Sequence, residues 1–570
     1  MITNQPWLSS YPLGVPYHLH YGSYGSLLDL LDESFDQYSD RPAYWCMGKH
    51  FSYQDIDLAS NKLASYLQSL GLEQGARVAI MLPNIPQYPI ALYGVLRAGY
   101  TVVSINPLYT PRELAAQLSD SGAQALLLLE HFGKTLEEAY GIGGRPICLK
   151  HVVITSIAEM LGWKGPWLDR FIRTFKRKVI PYTLPSNLQS TQFSAALAQG
   201  SQISYIRPSL TQEDIALLQY TGGTTGISKG AILTHRNLIA NVLQIEAWLK
   251  PIEQRKTVKA WHFLCALPMY HIFALTGCGL LGMRLGARII LVPNARDLQN
   301  LIGILKEFPE INLFPGVNTL FAALLNNPKF TELDFSNWAL TIGGGMAVQR
   351  AVAERWQTLT GTVITEGYGL SETSPVASCN TPLATEFTGS IGLPLPDTEM
   401  CIRDEDGKDL PVGQVGEIYI RGPQVMRGYW QQEVETKNVL GADGFFRTGD
   451  IGIMNDAGYF KIVDRKKDMI LVAGFNVYPN EVEDVVATVP GVVECAVVGV
   501  RQASTGEAVK LFVVREDTSI TEEKIMNVCN QELTHYKRPT QIEFRDSLPK
   551  NNVGKILRRV LRDEAQQSSN

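Results

Sequence analysis

The fold is decided by the stretch Leu218-Gln219-Tyr220-Thr221-Gly222-Gly223-Thr224-Thr225-Gly226-Ile227-Ser228-Lys229-Gly230. The apolar run 215–218 leads into it and predicts a buried β-strand. The ten residues that follow Tyr220 include four glycines, four hydroxyl side chains and one lysine. Glycine lets the backbone approach a ligand, hydroxyls add hydrogen-bond donors, and lysine supplies a mobile positive charge. The composition therefore indicates a phosphate-binding loop after a strand.

Spacing excludes two common nucleotide-binding loops. The P-loop of ordinary NTPases needs Gly-Lys followed by Ser or Thr, whereas here Ser228 precedes Lys229. The run 343–345 lacks the third glycine of a dinucleotide fingerprint. Taken alone, 220–230 also fits a flexible surface turn, because Gly, Ser and Thr are common in loops.

Composition places the chain among ordinary globular proteins. Its 570 residues suggest about four domain-sized units, and its net charge of −5 gives no general attraction to nucleic acid. The eight cysteines form no CxxC pair, which favours a reducing compartment over zinc or a disulfide framework. The first residues lack the features of a signal peptide, and the apolar run 272–283 is too short to cross a bilayer. We expect a cytoplasmic protein, soluble or peripheral to a membrane.

Predicted strands and helices alternate along most of the chain. This order predicts an α/β fold with parallel sheets covered by helices. A β-rich portion around 400–421 predicts a subdomain beside the nucleotide site. The predicted helices are 25–38, 52–70, 88–98 and 110–121, and the predicted strands between them are 77–83, 100–105 and 123–129.

A charge-dense segment at 464–468 interrupts the apolar strands and marks a domain boundary. We therefore expect a large N-terminal domain over 1–463, a hinge linker over 464–468, and a small mobile α+β domain over 469–570.

Residues 162–183 break the alternating pattern. Aromatic and aliphatic side chains are interleaved there with six basic residues, among them Arg170, Arg173, Lys176, Arg177 and Lys178, and Asp169 is the only acid. A basic helix of this kind can lie in a membrane interface. The alternative is a surface helix whose apolar side packs on the domain. The following segment, 181–205, is polar and is predicted to be a loop.

Five motifs together resemble the signatures of the adenylate-forming enzymes, the superfamily of acyl-CoA synthetases and luciferases. The first is 220–230. The other four follow in the expected order and are Thr365-Glu366-Gly367-Tyr368-Gly369-Leu370-Ser371-Glu372-Thr373, Gly444-Phe445-Phe446-Arg447-Thr448-Gly449-Asp450, Val463-Asp464-Arg465-Lys466-Lys467-Asp468 and Pro549-Lys550-Asn551-Asn552-Val553-Gly554-Lys555. Residues 106–114 and 474–481 carry a narrower resemblance to bacterial long-chain fatty acyl-CoA synthetases.

The resemblance implies a two-step chemistry. A carboxylate is a poor electrophile because it is anionic and lacks a good leaving group. With ATP, the carboxylate attacks the α-phosphate, pyrophosphate leaves, and the acyl-adenylate becomes open to a thiol. Such a site supplies positive charge and a metal ion around the polyphosphate. ATP, Mg²⁺ and coenzyme A are therefore implied, with a long-chain fatty acid as substrate.

The resemblance also implies a phosphate site and a metal site. Lys229 would bind the β- and γ-phosphates, and Glu372 with Thr221 would hold Mg²⁺, a hard ion that prefers carboxylate and phosphate oxygens. By itself, a glutamate in Ser-Glu-Thr is more often a surface or capping residue. The residues implied for the phosphate loop are Tyr220, Thr221, Gly222, Gly223, Thr224, Thr225, Gly226, Ser228, Lys229 and Gly230.

For the nucleoside, Tyr368 would lie against adenine, although a lone tyrosine is usually a core residue. Asp450 resembles the residue that accepts hydrogen bonds from the ribose hydroxyls, and Arg465 resembles one that reaches the ribose or a phosphate. Without the resemblance, these two are a turn aspartate and a solvated linker charge. The remaining implied nucleotide contacts are Gly343, Gly344, Gly345, Gly369 and Thr373.

Lys555 would ordinarily be assigned to a solvated basic tail. The resemblance makes it the lysine that bridges the substrate carboxylate and the α-phosphate, so the small domain must close for adenylation. After that step the domain would swing about Lys467, and the loop at Gly474 would shape the path of the thiol. His271 matches a family histidine beside the carboxylate, and an isolated histidine is otherwise more often a core residue. The apolar run 314–320 is predicted to line the acyl pocket.

Three alternatives stay open at this point. The acyl group could be passed to a carrier protein, the acid could be aromatic or of medium length, or the chain could be a nucleotide-binding regulator without chemistry. The presence of Lys229, Glu372, Asp450, Arg465 and Lys555 argues against the regulator. Base rates for oligomers favour a homodimer.

Overall fold

A computed structural model describes residues 5–142, 146–162, 165–174, 179–221, 228–256, 258–502, 505–551 and 554–567. The strands are β1 Pro42–Cys46, β2 Lys49–Ser52, β3 Arg77–Met81, β4 Thr101–Ser104, β5 Ala125–Leu129, β6 His151–Thr155, β7 Gln189–Gln192, β8 Ile215–Thr221, β9 Lys229–Thr234, β10 His262–Cys265, β11 Arg288–Leu291, β12 Leu313–Gly316, β13 Leu340–Gly343, β14 Ile364–Gly369, β15 Val376–Cys379, β16 Leu393–Pro394, β17 Glu399–Arg403, β18 Gly416–Arg421, β19 Gly428–Tyr429, β20 Phe446–Met454, β21 Phe460–Arg465, β22 Ile470–Val472, β23 Phe475–Val477, β24 Val492–Gln502, β25 Gly506–Arg515 and β26 Gln541–Phe544.

The helices are α1 Leu27–Tyr38, α2 Tyr53–Ser69, α3 Gln87–Arg97, α4 Pro111–Ser121, α5 Gly133–Tyr140, α6 Gly165–Thr174, α7 Phe193–Gly200, α8 His235–Lys256, α9 Ile272–Ala274, α10 Leu281–Arg284, α11 Leu298–Glu307, α12 Asn318–Leu325, α13 Pro328–Thr331, α14 Arg350–Thr360, α15 Glu433–Val439, α16 Pro479–Val486, α17 Glu522–Glu532 and α18 Arg558–Gln567. A π-helical turn, Leu275–Leu280, joins α9 to α10.

Two large mixed sheets form the body of the N-terminal domain. The first has the order β19-β9-β8-β4-β3-β5-β6-β7, and the second has the order β16-β15-β14-β13-β12-β10-β11-β1-β2. The central pairs are parallel, as the alternation of strands and helices predicted. Helix α3 is buried along its whole length, which explains its almost continuous apolar sequence. Parallel sheets covered by helices on their faces are the expected solution for such strands.

Local signals place several of these helices as predicted. Helix α4 begins with a capping box in which Thr110 accepts from the Glu113 N–H, and Pro111 occupies its first turn. It ends at Gly122, whose φ of 59° is left-handed. The same kind of box, from Ser52 and Asp55, starts α2.

The rest of the chain forms two smaller sheets. An antiparallel sheet, β17-β18-β20-β21, is the predicted β-rich subdomain. After a turn at 466–468, strands β22 to β26 make a separate five-stranded sheet packed with α16, α17 and α18. This is the small α+β domain that was expected.

One prediction around residues 162–205 needs correction. In the basic segment, α6 covers Gly165–Thr174, whereas 163–164 and 175–178 lie outside the described residues. The segment predicted as loop contains β7 and α7. Strand β7 has the polar sequence Gln-Ser-Thr-Gln and is a strand because it pairs with β6 at the sheet edge, so tertiary pairing outweighs its weak propensity. Among the described residues, no helix is long and apolar enough to cross a membrane.

Candidate active site

A cavity of about 2230 Å³ opens where the two large sheets meet the β-rich subdomain and the small domain. Its walls include the carboxyl ends of β8, β12, β13 and β14, which is where ligands bind in open α/β sheets. The segment 550–563 of the small domain closes one side. The site is therefore assembled from both domains.

The phosphate side of the cavity is formed by the end of β8 and the start of β9. The Ser228 hydroxyl donates to the Thr221 carbonyl at 2.6 Å. The Lys229 ammonium forms an ion pair with Glu435 and lies 5.3 Å from the ring centroid of Tyr429. The predicted contacts Gly222, Gly223, Thr224, Thr225 and Gly226 lie outside the described residues.

Tyr220 has a role in packing. Its buried hydroxyl donates to Asp120 at 2.6 Å. A Cβ on Gly230 would lie 3.1 Å from the Tyr220 ring, so the glycine leaves room for this ring beside β9. Tyr220 thus connects the end of β8 to α4.

Glu372 is a buried carboxylate on the cavity wall. It accepts a hydrogen bond from the Tyr429 hydroxyl at 2.7 Å. Burial raises the pKa of Glu372, because its charge is removed from water. In the described part of the chain, no cluster of three or more His, Cys, Asp or Glu could hold a metal ion by itself. A single carboxylate fits Mg²⁺ that takes its other ligands from phosphate and water.

Asp450, Arg465 and Tyr368 form one hydrogen-bonded group. Asp450 on β20 pairs in register with Arg465 on β21, and the Arg465 Nε lies 3.1 Å from an Asp450 oxygen. The Tyr368 hydroxyl donates to the other Asp450 oxygen at 2.6 Å. The negative charge of Asp450 raises the pKa of Arg465. Burial and the same charge raise the pKa of Tyr368. The predicted ribose and adenine residues are therefore adjacent.

The glycines predicted near adenine lie where the backbone is crowded. A Cβ on Gly344 would lie 3.0 Å from the Phe273 ring, and one on Gly369 would meet the Pro375 carbonyl at 1.9 Å. Gly343 ends β13, and Gly345 has a φ of 75°. The Thr373 hydroxyl is buried and bonded to its own turn, accepting from the Leu370 N–H at 2.9 Å. Thr373 therefore shapes this turn.

Lys555 reaches the cavity from the small domain. The positive charge of Arg465, together with burial, lowers the pKa of Lys555 to about 7, while Asp450 opposes the shift. His271 lines the same cavity. Burial, and to a smaller extent the positive charge of Lys555, lower the pKa of its imidazole to about 4. Its Nδ1 accepts from the Phe273 N–H at 3.3 Å, so the neutral ring carries its proton on Nε2.

The two ends of the turn at 466–468 are anchored to different domains. The Lys466 N–H donates to the Gly449 carbonyl at 3.0 Å in the N-terminal domain. Asp468 instead pairs with Arg562 of α18 at 3.0 Å. Lys467 lies exposed between them. The loop at Gly474 is also exposed and lies outside the cavity walls.

The run 314–320 is divided between two environments. Leu313, Pro315 and Val317 line the cavity, whereas Phe314 points into a cluster with Phe321, 5.7 Å away between ring centroids. This alternation follows from β12, whose side chains face opposite sides of the sheet. The apolar part of the cavity extends further along Ile245, Trp248, Leu249, Leu267, Ile272, Phe273, Gly277, Leu281 and Leu395.

Several cavity residues escaped the sequence analysis. Tyr429 lies in a segment without a recognisable signal, and it reaches the cavity wall because β19 pairs with β9. The following helix, α15, places Glu435 beside Lys229. Gln219 lines the cavity, and its buried Oε1 has no partner among the described residues. It lies in the opening stretch, where period-2 alternation of β8 could have indicated it.

Comparison with known proteins agrees with this geometry. The model of the AMP-binding enzyme family matches residues 31–430, and that of the AMP-binding enzyme C-terminal domain matches 481–555. The chain belongs to the AMP-binding enzyme family. It is 49% identical to a long-chain-fatty-acid–CoA ligase of Escherichia coli O6:H1, over 98% of both chains. Its identity to the protein of that name in Yersinia pestis is also 49%, over 98% of both chains.

The fold of this family member is also seen in a solved structure. ATP-bound MatB from Rhodopseudomonas palustris superposes with a TM-score of 0.78 and 26% identity, over 96% of this chain and all of that one. The adenylate-forming fold, a large α/β domain followed by a small domain, is thus established for the whole chain.

Proposed function

We propose that this AMP-binding enzyme is an ATP-dependent, AMP-forming ligase that joins long-chain fatty acids to coenzyme A. One observation carries the proposal. A single cavity is lined by the group of Asp450, Arg465 and Tyr368, by Lys555, and by apolar residues of α8, the π-helical turn and α10 (the apolar branch). The printed names of the relatives, similar over nearly their full length, support the same substrate class.

In the first step, an oxygen of the fatty carboxylate attacks the α-phosphorus of ATP. The bond from this phosphorus to the bridging oxygen breaks, and pyrophosphate leaves with that electron pair. Lys555 and Arg465 supply positive charge where two anions meet, and His271 offers an Nε2–H donor. Lys229 and the hydroxyls of Thr221 and Ser228 bind the departing phosphates. Mg²⁺, held by Glu372 and the phosphates, would neutralise part of their charge.

In the second step, the sulfur of coenzyme A attacks the carbonyl carbon of the acyl-adenylate. The thioester forms, AMP leaves, and the thiol proton passes to solvent. We propose that the small domain, 469–570, rotates about 464–468 relative to 1–463 between the steps. Lys467 is the hinge residue of this proposal, because the anchors before and after it belong to different domains. The exposed loop at Gly474 would then approach the cavity.

The apolar branch supports the choice of a long acyl chain. Burial of each methylene stabilises the complex by about 0.8 kcal/mol, so a long apolar wall favours long chains. The branch walls include Trp248 and Leu249 of α8 and Leu281 of α10, the helix that follows the π-helical turn.

The first experiment measures AMP release from ATP with acetate, octanoate, palmitate, oleate and coumarate, each with and without coenzyme A. Strong turnover on palmitate or oleate that depends on coenzyme A is the expected result. If AMP forms only in stoichiometric amounts although coenzyme A is present, a carrier protein is favoured as the acceptor. Preference for coumarate or octanoate would instead identify an aromatic or medium-chain acid as the substrate. Turnover on none of the acids would contradict the proposal.

We also propose peripheral contact with the inner face of the cell membrane through the segment 162–183. Trp167 on α6 is 73% exposed, whereas Asp169 is turned inward and accepts from the Ala158 N–H at 3.2 Å. A helix fixed on one side with an exposed tryptophan suits a membrane interface. Sedimentation with anionic liposomes tests this contact, and unchanged binding by Trp167→Glu would contradict it. Two-fold self-association is a separate proposal, measured by light scattering.

A further inference from the structure

Lys229 lines the phosphate side of the cavity and forms an ion pair with Glu435, which lies behind the cavity wall. The Lys229 side chain is only 18% exposed, and that of Glu435 is 42% exposed. Glu435 belongs to α15, a short helix that no sequence motif indicated. A half-exposed acid therefore neutralises the lysine that would bind phosphate.

The chain fixes this acid in place through the strand pair β9 and β19. Tyr429 on β19 pairs in register with Ala231 on β9, two residues after Lys229. The Trp430 N–H donates to the Gly230 carbonyl at 2.8 Å. Thr436 on α15 accepts from the Tyr429 N–H at 2.9 Å. Helix α15 is thus attached to the strand that begins at Lys229, which keeps Glu435 beside the ammonium.

Tyr429 connects the same pair to the proposed metal ligand. The Lys229 ammonium lies over its ring, and its hydroxyl donates to Glu372 at 2.7 Å. Burial, and then the charges of Glu372 and Glu435, raise the pKa of Tyr429, so this hydroxyl stays protonated. Lys229, Tyr429 and Glu372 therefore lie together on the cavity wall, and Glu435 contacts this group through Lys229.

We infer that Glu435 is a displaceable counter-ion that competes with the terminal phosphates of ATP for Lys229. The inference rests on the proposed function only in assigning Lys229 to phosphate. An ammonium is a compact point charge that exchanges partners readily, and a phosphate carries more charge than a carboxylate. ATP must break the pair to bind, and the pair re-forms as pyrophosphate leaves. Glu435 is therefore a positioning residue that weakens polyphosphate binding and speeds its release.

The test measures MgATP binding by calorimetry, without fatty acid, for the full-length protein and for Glu435→Gln. We expect about fivefold tighter binding, because a partly exposed ion pair contributes up to about 1 kcal/mol. Pyrophosphate should inhibit the variant more strongly by a similar factor. Glu433→Gln is the matched control, since it removes the same charge from an exposed site on the same helix, and it should change affinity less than twofold. Unchanged affinity in Glu435→Gln would overturn the inference.

A double-mutant cycle with Lys229→Met separates displacement from simple charge repulsion. If Glu435 acts through Lys229, Glu435→Gln should have no effect in the Lys229→Met background. A persistent gain there would mean that the acid merely repels ATP, and would overturn the inference. Glu435→Ala repeats the measurement should the amide disturb folding. The binding measurement contains no fatty acid, so its result does not depend on the proposed fatty-acid substrate. Absence of ATP binding by the unmodified protein would contradict the proposed function and not this inference.

Discussion

At the scale of single residues, Lys555 illustrates how the environment sets function. Its position in a Gly-Lys near the C-terminus would suit a solvated tail, yet the folded chain buries it beside Arg465. A second positive charge and loss of water both disfavour the protonated amine, so the pKa of Lys555 falls to about 7. In the proposed adenylation step Lys555 must be charged to bridge two anions, and the fold holds it near its point of titration.

This position predicts a pH dependence for adenylation. Lys555 is protonated below its pKa and loses its charge as pH rises through about 7. Because kcat/KM reports the titration of the free enzyme, it should fall by up to about tenfold for each pH unit above 7. Adenylate formation, measured by trapping with hydroxylamine from pH 6 to 9, reports this limb. Lys555→Arg keeps the positive charge throughout this pH range, so adenylation by this variant should depend little on pH. Lys555→Ala should lose about a hundredfold or more, as for removal of one stabilising donor.

Thiolysis of supplied acyl-adenylate is the control for the same variants, since Lys555 is assigned only to the first step. It should survive in Lys555→Ala. A flat profile for adenylation by the unmodified enzyme, or equal loss of both half-reactions in Lys555→Ala, would contradict this division of roles.

At the scale of elements, the π-helical turn Leu275–Leu280 forms part of the apolar branch of the cavity. Gly277 lies on this turn and on the cavity wall. A Cβ added there would meet the Phe273 ring at 3.7 Å, an ordinary van der Waals contact. The backbone therefore tolerates a side chain at Gly277, and that side chain would project beside the cavity. Wide turns of this kind are often found at functional sites.

Gly277→Leu is predicted to shift the preferred chain length downward. A leucine occupies the volume of about four methylene groups or carbons, so kcat/KM for palmitate should fall at least tenfold while octanoate is spared, since each methylene accounts for about 0.8 kcal/mol. Competition between the two acids measures the ratio directly. Gly303→Leu is the matched control, because a Cβ on Gly303 of α11 meets nothing within 4 Å. An unchanged ratio in Gly277→Leu would place the acyl chain elsewhere.

At the scale of the whole molecule, the two domains are closed in the arrangement that suits adenylation. The Thr319 hydroxyl on α12 donates to the Gly554 carbonyl at 3.2 Å, next to Lys555. A Cβ on Gly554 would lie 2.5 Å from that hydroxyl, so the fit leaves no room for a larger group. Docking of this one loop therefore brings Lys555 to the cavity.

Thr319→Trp is predicted to hold the small domain away from this position. Adenylation should fall about tenfold to a hundredfold, because misplacement of a catalytic group by about 1 Å can cost a hundredfold. Thiolysis of supplied acyl-adenylate should be unaffected or faster. Small-angle scattering should show a more open molecule. Lys329→Trp, an exposed change on α13, is the control and should leave both half-reactions intact. Normal adenylation in Thr319→Trp would contradict the role of this contact.

The sequence by itself determined the α/β class and most of the alternating strands and helices, and it predicted the residues proposed for the nucleotide site. Hydrophobic periodicity reports which face of a strand or helix is buried, and capping residues such as Thr110 and Glu113 mark where helices begin. Glycine-rich stretches with a lysine identify phosphate-binding loops because backbone and charge requirements are local. The resemblance of five motifs then related Asp450, Arg465 and Lys555 to one reaction.

Only the tertiary structure decided how these residues meet. Pairing of β9 with β19 brings Glu435 to Lys229 across more than two hundred residues, and no local pattern encodes that distance. The burial and the Arg465 charge that lower the pKa of Lys555 come from packing of the small domain against the N-terminal domain. Strand β7 is likewise a strand only because β6 lies beside it. Local composition fixes local conformation, whereas register, burial and electrostatic partners depend on packing between distant segments, and these decide the chemistry of the site.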